Sequence, residues 1–126
     1  MMEQTKIKVL ICDDSMLVRK KLRVLLEDEF LCAVTEAANG CEAVNQYQAE
    51  NPQLVFMDIV MPECDGLEAL KKIKEIDNKA RVVMVSSTGT SAKLIDALKL
   101  GAADFIQKPY DKEQIAKAIA RTQLKE

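Results

Sequence analysis

Asp13, Asp14, Asp58, Ser86 and Lys108 are the residues of this sequence best suited to a common chemistry. Three carboxylates gathered in one place repel one another and demand a cation. Hard oxygen ligands with no histidine or cysteine beside them suit Mg²⁺, which binds a few carboxylates, keeps several waters and favours phosphate. Lys108 would add a compact positive charge for a phosphate oxygen, and Ser86 a hydroxyl for a hydrogen bond. Such a site stabilises charge on a transferring phosphoryl group, and a carboxylate is a competent nucleophile for that group. The chain has no histidine, which excludes Ser-His-Asp and Cys-His catalysis and a phosphohistidine carrier. Taken singly, each residue has a plainer use. An aspartate at a strand end is usually a turn or cap residue. A lone lysine is usually on the surface, and Ser86 to Ser91 could simply cap the next helix. That loop has too few glycines for a phosphate-binding P-loop. The inference rests on these residues falling together.

What brings them together is an alternation of apolar patterns. Ile7 to Cys12 is a short β-like run, followed by Val18, Leu22, Leu25 and Leu26 at helical spacing. Cys32 to Thr35 reads as a second strand, and Ala43, Val44 and Tyr47 mark a second helix. Leu54 to Met57, introduced by Asn51-Pro52, is a third strand, and Leu67, Leu70 and Ile73 support a third helix. Val82 to Val85 is a fourth strand, and Leu94, Ile95 and Leu98 support a fourth helix that Gly101 is placed to stop. Phe105-Ile106 lies in a fifth strand, and Ile115, Ile119 and Thr122 share one face of a last helix. Ser15 can cap the first helix, and Asp65 with Glu68 and Asp111 with Gln114 have capping-box spacing. The alternation predicts an α/β fold, a five-stranded parallel sheet with helices on both faces. All strand C-termini then share one edge, where sites of this architecture form. The first strand ends in Asp13-Asp14, the third in Asp58, the fourth in Ser86-Ser87, and the fifth is followed by Lys108-Pro109. Only the second lacks such an ending.

The chain has 126 residues, 48% hydrophobic and 30% charged, with a formal net charge of −2. That suits one domain with a real core, and gives no electrostatic reason to expect nucleic acid as a partner. No apolar run approaches a membrane span, and Met1-Met2-Glu3-Gln4 does not read as the start of a leader peptide, so a cytoplasmic protein without membrane insertion is expected. Cys12, Cys32, Cys41 and Cys64 match no zinc or C-x-x-C pattern, and read as reduced structural cysteines. Arg19-Lys20-Lys21 with Arg23 reads as a solvated helix face or, more sharply, as a docking surface for an acidic partner.

The sequence resembles the receiver domains of two-component response regulators, especially the free-standing, CheY-like ones. The matching segments are Val-Leu-Ile-Cys-Asp-Asp-Ser with Arg19, Met-Asp-Ile-Val-Met-Pro-Glu-Cys-Asp-Gly around Asp58, Val-Ser-Ser at 85 to 87, and Gly-Ala-Ala-Asp-Phe-Ile-Gln-Lys-Pro ending at 109. They stand in order and span almost the whole chain. The resemblance implies a flavodoxin/CheY-like fold with strand order 2-1-3-4-5, and a single receiver domain over 1–126 (core about 6–123) without an output domain. It implies Asp58 as phosphoacceptor, with Mg²⁺ held by Asp13, Asp14, Asp58 and the backbone carbonyl of Val60. Lys108 would contact the phosphoryl group, and its bond to Pro109 would be cis. Ser86 would turn toward the phosphoryl group and Phe105 would swing inward behind it, although plain core packing also accounts for Phe105. Val60 and Thr88 would tune dephosphorylation. Implied partners are a sensor histidine kinase or phosphotransfer protein and a downstream target protein, with no direct nucleic acid. The protein would be no enzyme beyond its own aspartyl phosphorylation and dephosphorylation.

Three other functions fit a related fold. An aspartate-nucleophile phosphatase wants Asp-x-Asp after the first strand, where this chain has Asp13-Asp14-Ser15. A flavodoxin-like FMN module wants a Ser/Thr/Gly-rich loop there. A phosphate-independent adaptor would have no need of the full acidic set.

Overall fold

The computed structural model describes residues 6–87 and 91–123. The chain alternates β1 (Lys8–Cys12), α1 (Met16–Phe30), β2 (Ala33–Ala37), α2 (Gly40–Glu50), β3 (Leu54–Asp58), α3 (Gly66–Ile76), β4 (Val82–Ser86), α4 (Ser91–Lys99), β5 (Asp104–Gln107) and α5 (Lys112–Gln123). The strands form one parallel sheet in the order β2-β1-β3-β4-β5. The fold class is the one expected from the alternation of apolar patterns, and the strand order is the one the family resemblance implies.

The apolar runs of the inner strands divide between two cores by the period of two that a strand imposes. Leu10, Cys12, Val55, Met57, Val82 and Met84 face one core, shared with Ala43 and Tyr47 of α2, Leu70 and Ile73 of α3 and Ala97 of α4. Val9, Ile11, Leu54, Phe56, Val83 and Val85 face the other, shared with Leu22 and Leu26 of α1 and Ile115 and Ile119 of α5. Both faces are covered, so these strands read as continuous apolar runs rather than alternating ones.

The helices start where the sequence places caps. Ser15 accepts from Val18 N–H at 3.2 Å, and Asp65 accepts from Glu68 N–H at 2.9 Å. Asp111 and Gln114 form a reciprocal box, with N–H to side-chain oxygen distances of 3.1 and 2.9 Å. Gly101 ends α4 with φ of 102°; its N–H reaches the Leu98 carbonyl and that of Ala102 the Ala97 carbonyl. This is the paired hydrogen-bond pattern that favours glycine after a helix. On α4 the structure differs from a simple core-facing reading. Ala97 is the fully buried residue, while Ile95 and Leu98 are 50% and 52% exposed. Among the described side chains of this helix, Leu94 and Ala97 are the ones turned inward.

Candidate functional site

β1 and β3 are neighbours, and the chain leaves them toward helices on opposite faces of the sheet. A crevice therefore opens at their C-terminal ends, the general place for a ligand in an open α/β sheet. Asp13 and Asp14 follow β1 and Asp58 ends β3. Carboxylate oxygens of the three lie within 4.8 Å of one another. Asp13 is 4% exposed, Asp58 9%, and Asp14 faces solvent.

Lys108 enters from the far side. β5 pairs with β4 up to Ser86 opposite Gln107, and the Lys108 N–H then donates to the Ser86 carbonyl at 2.8 Å. The Lys108–Pro109 peptide is cis. The Lys108 ammonium donates to Asp13 Oδ2 at 2.7 Å and to Asp58 Oδ2 at 3.4 Å. The other Asp13 oxygen accepts the Ser15 N–H at 2.9 Å, and a backbone hydrogen bond from Val60 reaches the Asp58 carboxylate.

Burial, and then the negative charge of Asp13, push the Asp58 carboxyl above its usual range, against the pull of Lys108 and the Val60 N–H. Burial draws the Lys108 ammonium down. Its hydrogen bond to Asp13, together with the charges of Asp58 and Asp13, outweighs this and leaves it raised and charged. One ammonium thus faces three carboxylates, and negative charge is left in excess. The donor set is all oxygen, part buried and part open to water, which fits Mg²⁺.

Two further features were not read from the sequence. Arg19 reaches back from α1 to donate to the Asp13 carbonyl at 2.6 Å, and it pairs with Glu36 of β2 at 2.8 Å, where Arg23 also binds at 2.7 Å. Arg19 and Arg23 are thus held in an ion-pair network rather than forming part of a freely solvated face. The second strand, which carries no reacting group, supports the site through Glu36. The signal was the charge of Glu36 at the end of an edge strand, opposite a basic helix. The second feature is Gly66. Its N–H donates to the Ile59 carbonyl at 2.8 Å, and a Cβ there would overlap the Asp58 carbonyl. Only glycine lets α3 begin this close to β3.

Ser86 ends β4 at the same edge and is 2% exposed. Phe105 is partly buried and packs against the core under α2, α3 and α4. Val60 is 56% exposed. Thr88 lies outside the described residues.

The chain matches the response regulator receiver domain family over residues 9–120. It is 44% identical over 115 residues to the chemotaxis protein CheY of Bacillus subtilis, covering 91% of this chain and 96% of that protein. It is 47% identical over 113 residues to the chemotaxis protein CheY of Halobacterium salinarum, covering 90% and 93%. Among solved structures, a chain of the CheX–CheY–BeF3–Mg²⁺ complex from Borrelia burgdorferi superposes with a TM-score of 0.87 at 36% identity, covering 94% of this chain and 90% of that one.

Proposed function

Since the chain belongs to the response regulator receiver domain family, we propose that it is a phosphorylation-dependent, chemotaxis-type regulator that accepts a phosphoryl group on Asp58. The observation that carries this is the meeting of Asp13, Asp14 and Asp58 within 4.8 Å at the sheet edge, with Lys108 between Asp13 and Asp58. Asp13, Asp14, Asp58 and the Val60 carbonyl would hold Mg²⁺, which when bound supplies positive charge to the phosphoryl oxygens.

An oxygen of Asp58 attacks phosphorus in line with the donor, either a phosphohistidine of a partner kinase or phosphotransfer protein, or a small acyl phosphate. The bond from phosphorus to the donor breaks as the bond to Asp58 forms. Lys108 stays protonated and neutralises charge on the group in flight. The product carries a charge of about −2. Ser86 hydrogen-bonds to it, and Phe105 moves into the space vacated. The surface of α4, β5 and α5 is then biased toward a second state that a target protein reads. Exposed Ile95 and Leu98 on α4 suit that role. A mostly apolar groove of about 660 Å³, lined by Val18, Leu22, Leu25, Pro109 and Tyr110 together with Lys21 and Ser87, opens beside Lys108 and suits a docking phosphodonor. Water later attacks the aspartyl phosphate and resets the switch.

The described residues include no helix long and apolar enough to cross a membrane, and the matched CheY proteins are covered nearly end to end. The likeness to these CheY proteins over nearly their whole length supports the proposal of a CheY-like receiver acting in the cytoplasm. Intact mass after incubation with Mg²⁺ and acetyl phosphate tests the reading. A single base-labile phosphoryl adduct, lost with EDTA and in Asp58→Asn, is the expected result. An adduct retained in Asp58→Asn would overturn it.

A further inference from the structure

The sequence has four cysteines, and they sit in different surroundings. Cys12 and Cys32 are 1% and 2% exposed in opposite cores. Cys41 is exposed in the first turn of α2. Cys64 lies just beneath the surface, 4% exposed, in the loop that joins Asp58 to the Asp65 cap of α3.

The start of α2 is pressed against this loop. The Gly40 N–H donates to the Cys64 carbonyl at 2.8 Å, and a Cβ on Gly40 would stand 2.5 Å from that oxygen and 2.8 Å from the Asp65 carbonyl. A residue other than glycine would force α2 away from the loop. The approach sets Cys41, the next residue, beside Cys64, near enough for its side chain to act on the Cys64 thiol. The Gly40–Cys64 hydrogen bond, one residue from Cys41, holds the two cysteines next to each other, the proximity that a disulfide needs.

We propose that Cys41 and Cys64 form a reversible disulfide under peroxide, tying the start of α2 to the loop that feeds the acidic site. A peroxide, the oxidant, takes the accessible Cys41 thiolate to a sulfenic acid and leaves as water. The Cys64 thiolate attacks that sulfur, the S–S bond forms, and hydroxide departs to take up a proton as a second water. Two thiols and one hydrogen peroxide thus give one disulfide and two waters, and a dithiol reductant reverses the change. Burial first, then contact with Cys41, holds the Cys64 thiol up at about 11. Closure therefore quickens as pH rises toward that value. The bond restrains the segment that supplies the Val60 N–H to Asp58.

The test is peroxide treatment of the full chain, followed by free-thiol titration, intact mass and peptide mapping. The expected result is a fall from four thiols to two, since one bond consumes a pair. The mass should drop by about 2 Da, with a single linked peptide pair holding Cys41 and Cys64, restored by dithiothreitol. Amide exchange in residues 59–65 should slow in the oxidised form. Cys41→Ser, at an exposed position that leaves the fold intact, should abolish the link, and Cys12→Ser should keep it. A Cys41–Cys41 dimer, or Cys41 proceeding to sulfinic acid while Cys64 remains a thiol, would overturn the proposal.

Discussion

The Lys108 ammonium stands closer to Asp13, at 2.7 Å, than to the phosphoacceptor candidate Asp58, at 3.4 Å. In this arrangement it occupies the charge-balancing position that a divalent cation would share. Cation and ammonium then compete for the same oxygens. Replacing Lys108 with Gln should tighten Mg²⁺ binding by a factor of about ten, the scale of one removed charge at this distance in a partly solvated site. It should also slow phosphorylation by acetyl phosphate, because the charge in flight loses its partner. Calorimetric Mg²⁺ titration and intact mass measure the two effects. A parallel loss of Mg²⁺ affinity would show that Lys108 positions the carboxylates instead.

Asp58 is held above its ordinary range by burial and by Asp13. The folded chain therefore binds this proton more tightly than the unfolded chain, whose carboxyl titrates near ~3.9. Stability should fall as pH rises from there through the raised folded value, and the full cost should persist at neutral pH. Asp58→Asn removes the cost. In EDTA the variant should melt several degrees above wild type at pH 7 and level with it at pH 3. Saturating Mg²⁺ should close the gap at pH 7 by stabilising the wild type. Melting curves at the two pH values, with and without metal, decide this.

The inner strands were legible because both their faces are buried, which makes Leu54 to Met57 and Val82 to Val85 unbroken apolar runs. The site followed from them, because a parallel sheet sends every strand ending to one edge. The edge strand was harder. The sequence suggested Cys32 to Thr35, but the pairing runs from Ala33 to Ala37. Thr35 and Glu36 are polar and half-buried, so the apolar signal stops before the hydrogen bonds do. The cap of α2, Asn39 with Glu42, was not read from the sequence. Asn39 accepts from Glu42 N–H at 2.9 Å, and Glu42 accepts from Ala38 N–H at 2.8 Å. Contacts such as Gly40 with Cys64 or Gly66 with Asp58 depend on how tightly two elements approach, which residue periodicity does not encode.

Gly66 sets one such approach. A methyl group there would overlap the Asp58 carbonyl and crowd the Ile59 Cα at 2.9 Å. Backbone cannot move aside as a side chain tip can, so α3 or the loop must shift. Gly66→Ala should cost about 2 kcal/mol or more in urea denaturation, although alanine is the better helix former. Because the same shift displaces Asp58, Mg²⁺ affinity should fall with it. A neutral or stabilising result would mean that the loop yields freely.

Glu36 joins the edge strand to the site through Arg19, which in turn holds the Asp13 carbonyl. Burial works to raise the Glu36 carboxyl, but the hydrogen bonds and charges of Arg23 and Arg19 outweigh it and leave it lowered. The unfolded chain then holds this proton more tightly. The stability contributed by Glu36 should be fully present above about pH 4.3, and should be lost as pH falls through the lower, folded value. At 25% side-chain exposure the pairs are partly screened, and Glu36→Gln should cost only about 0.5–1 kcal/mol at pH 7. That cost should vanish at an acid pH well below the lowered folded value, where the wild-type carboxyl is neutral as well. A second consequence reaches the site. With Arg19 released from Glu36, its hold on the Asp13 backbone loosens, so Mg²⁺ affinity at pH 7 should weaken by a factor of about three. Urea melts at the two pH values and a calorimetric titration separate the parts. A stability loss without a change in Mg²⁺ affinity would confine Glu36 to bracing β2 against α1.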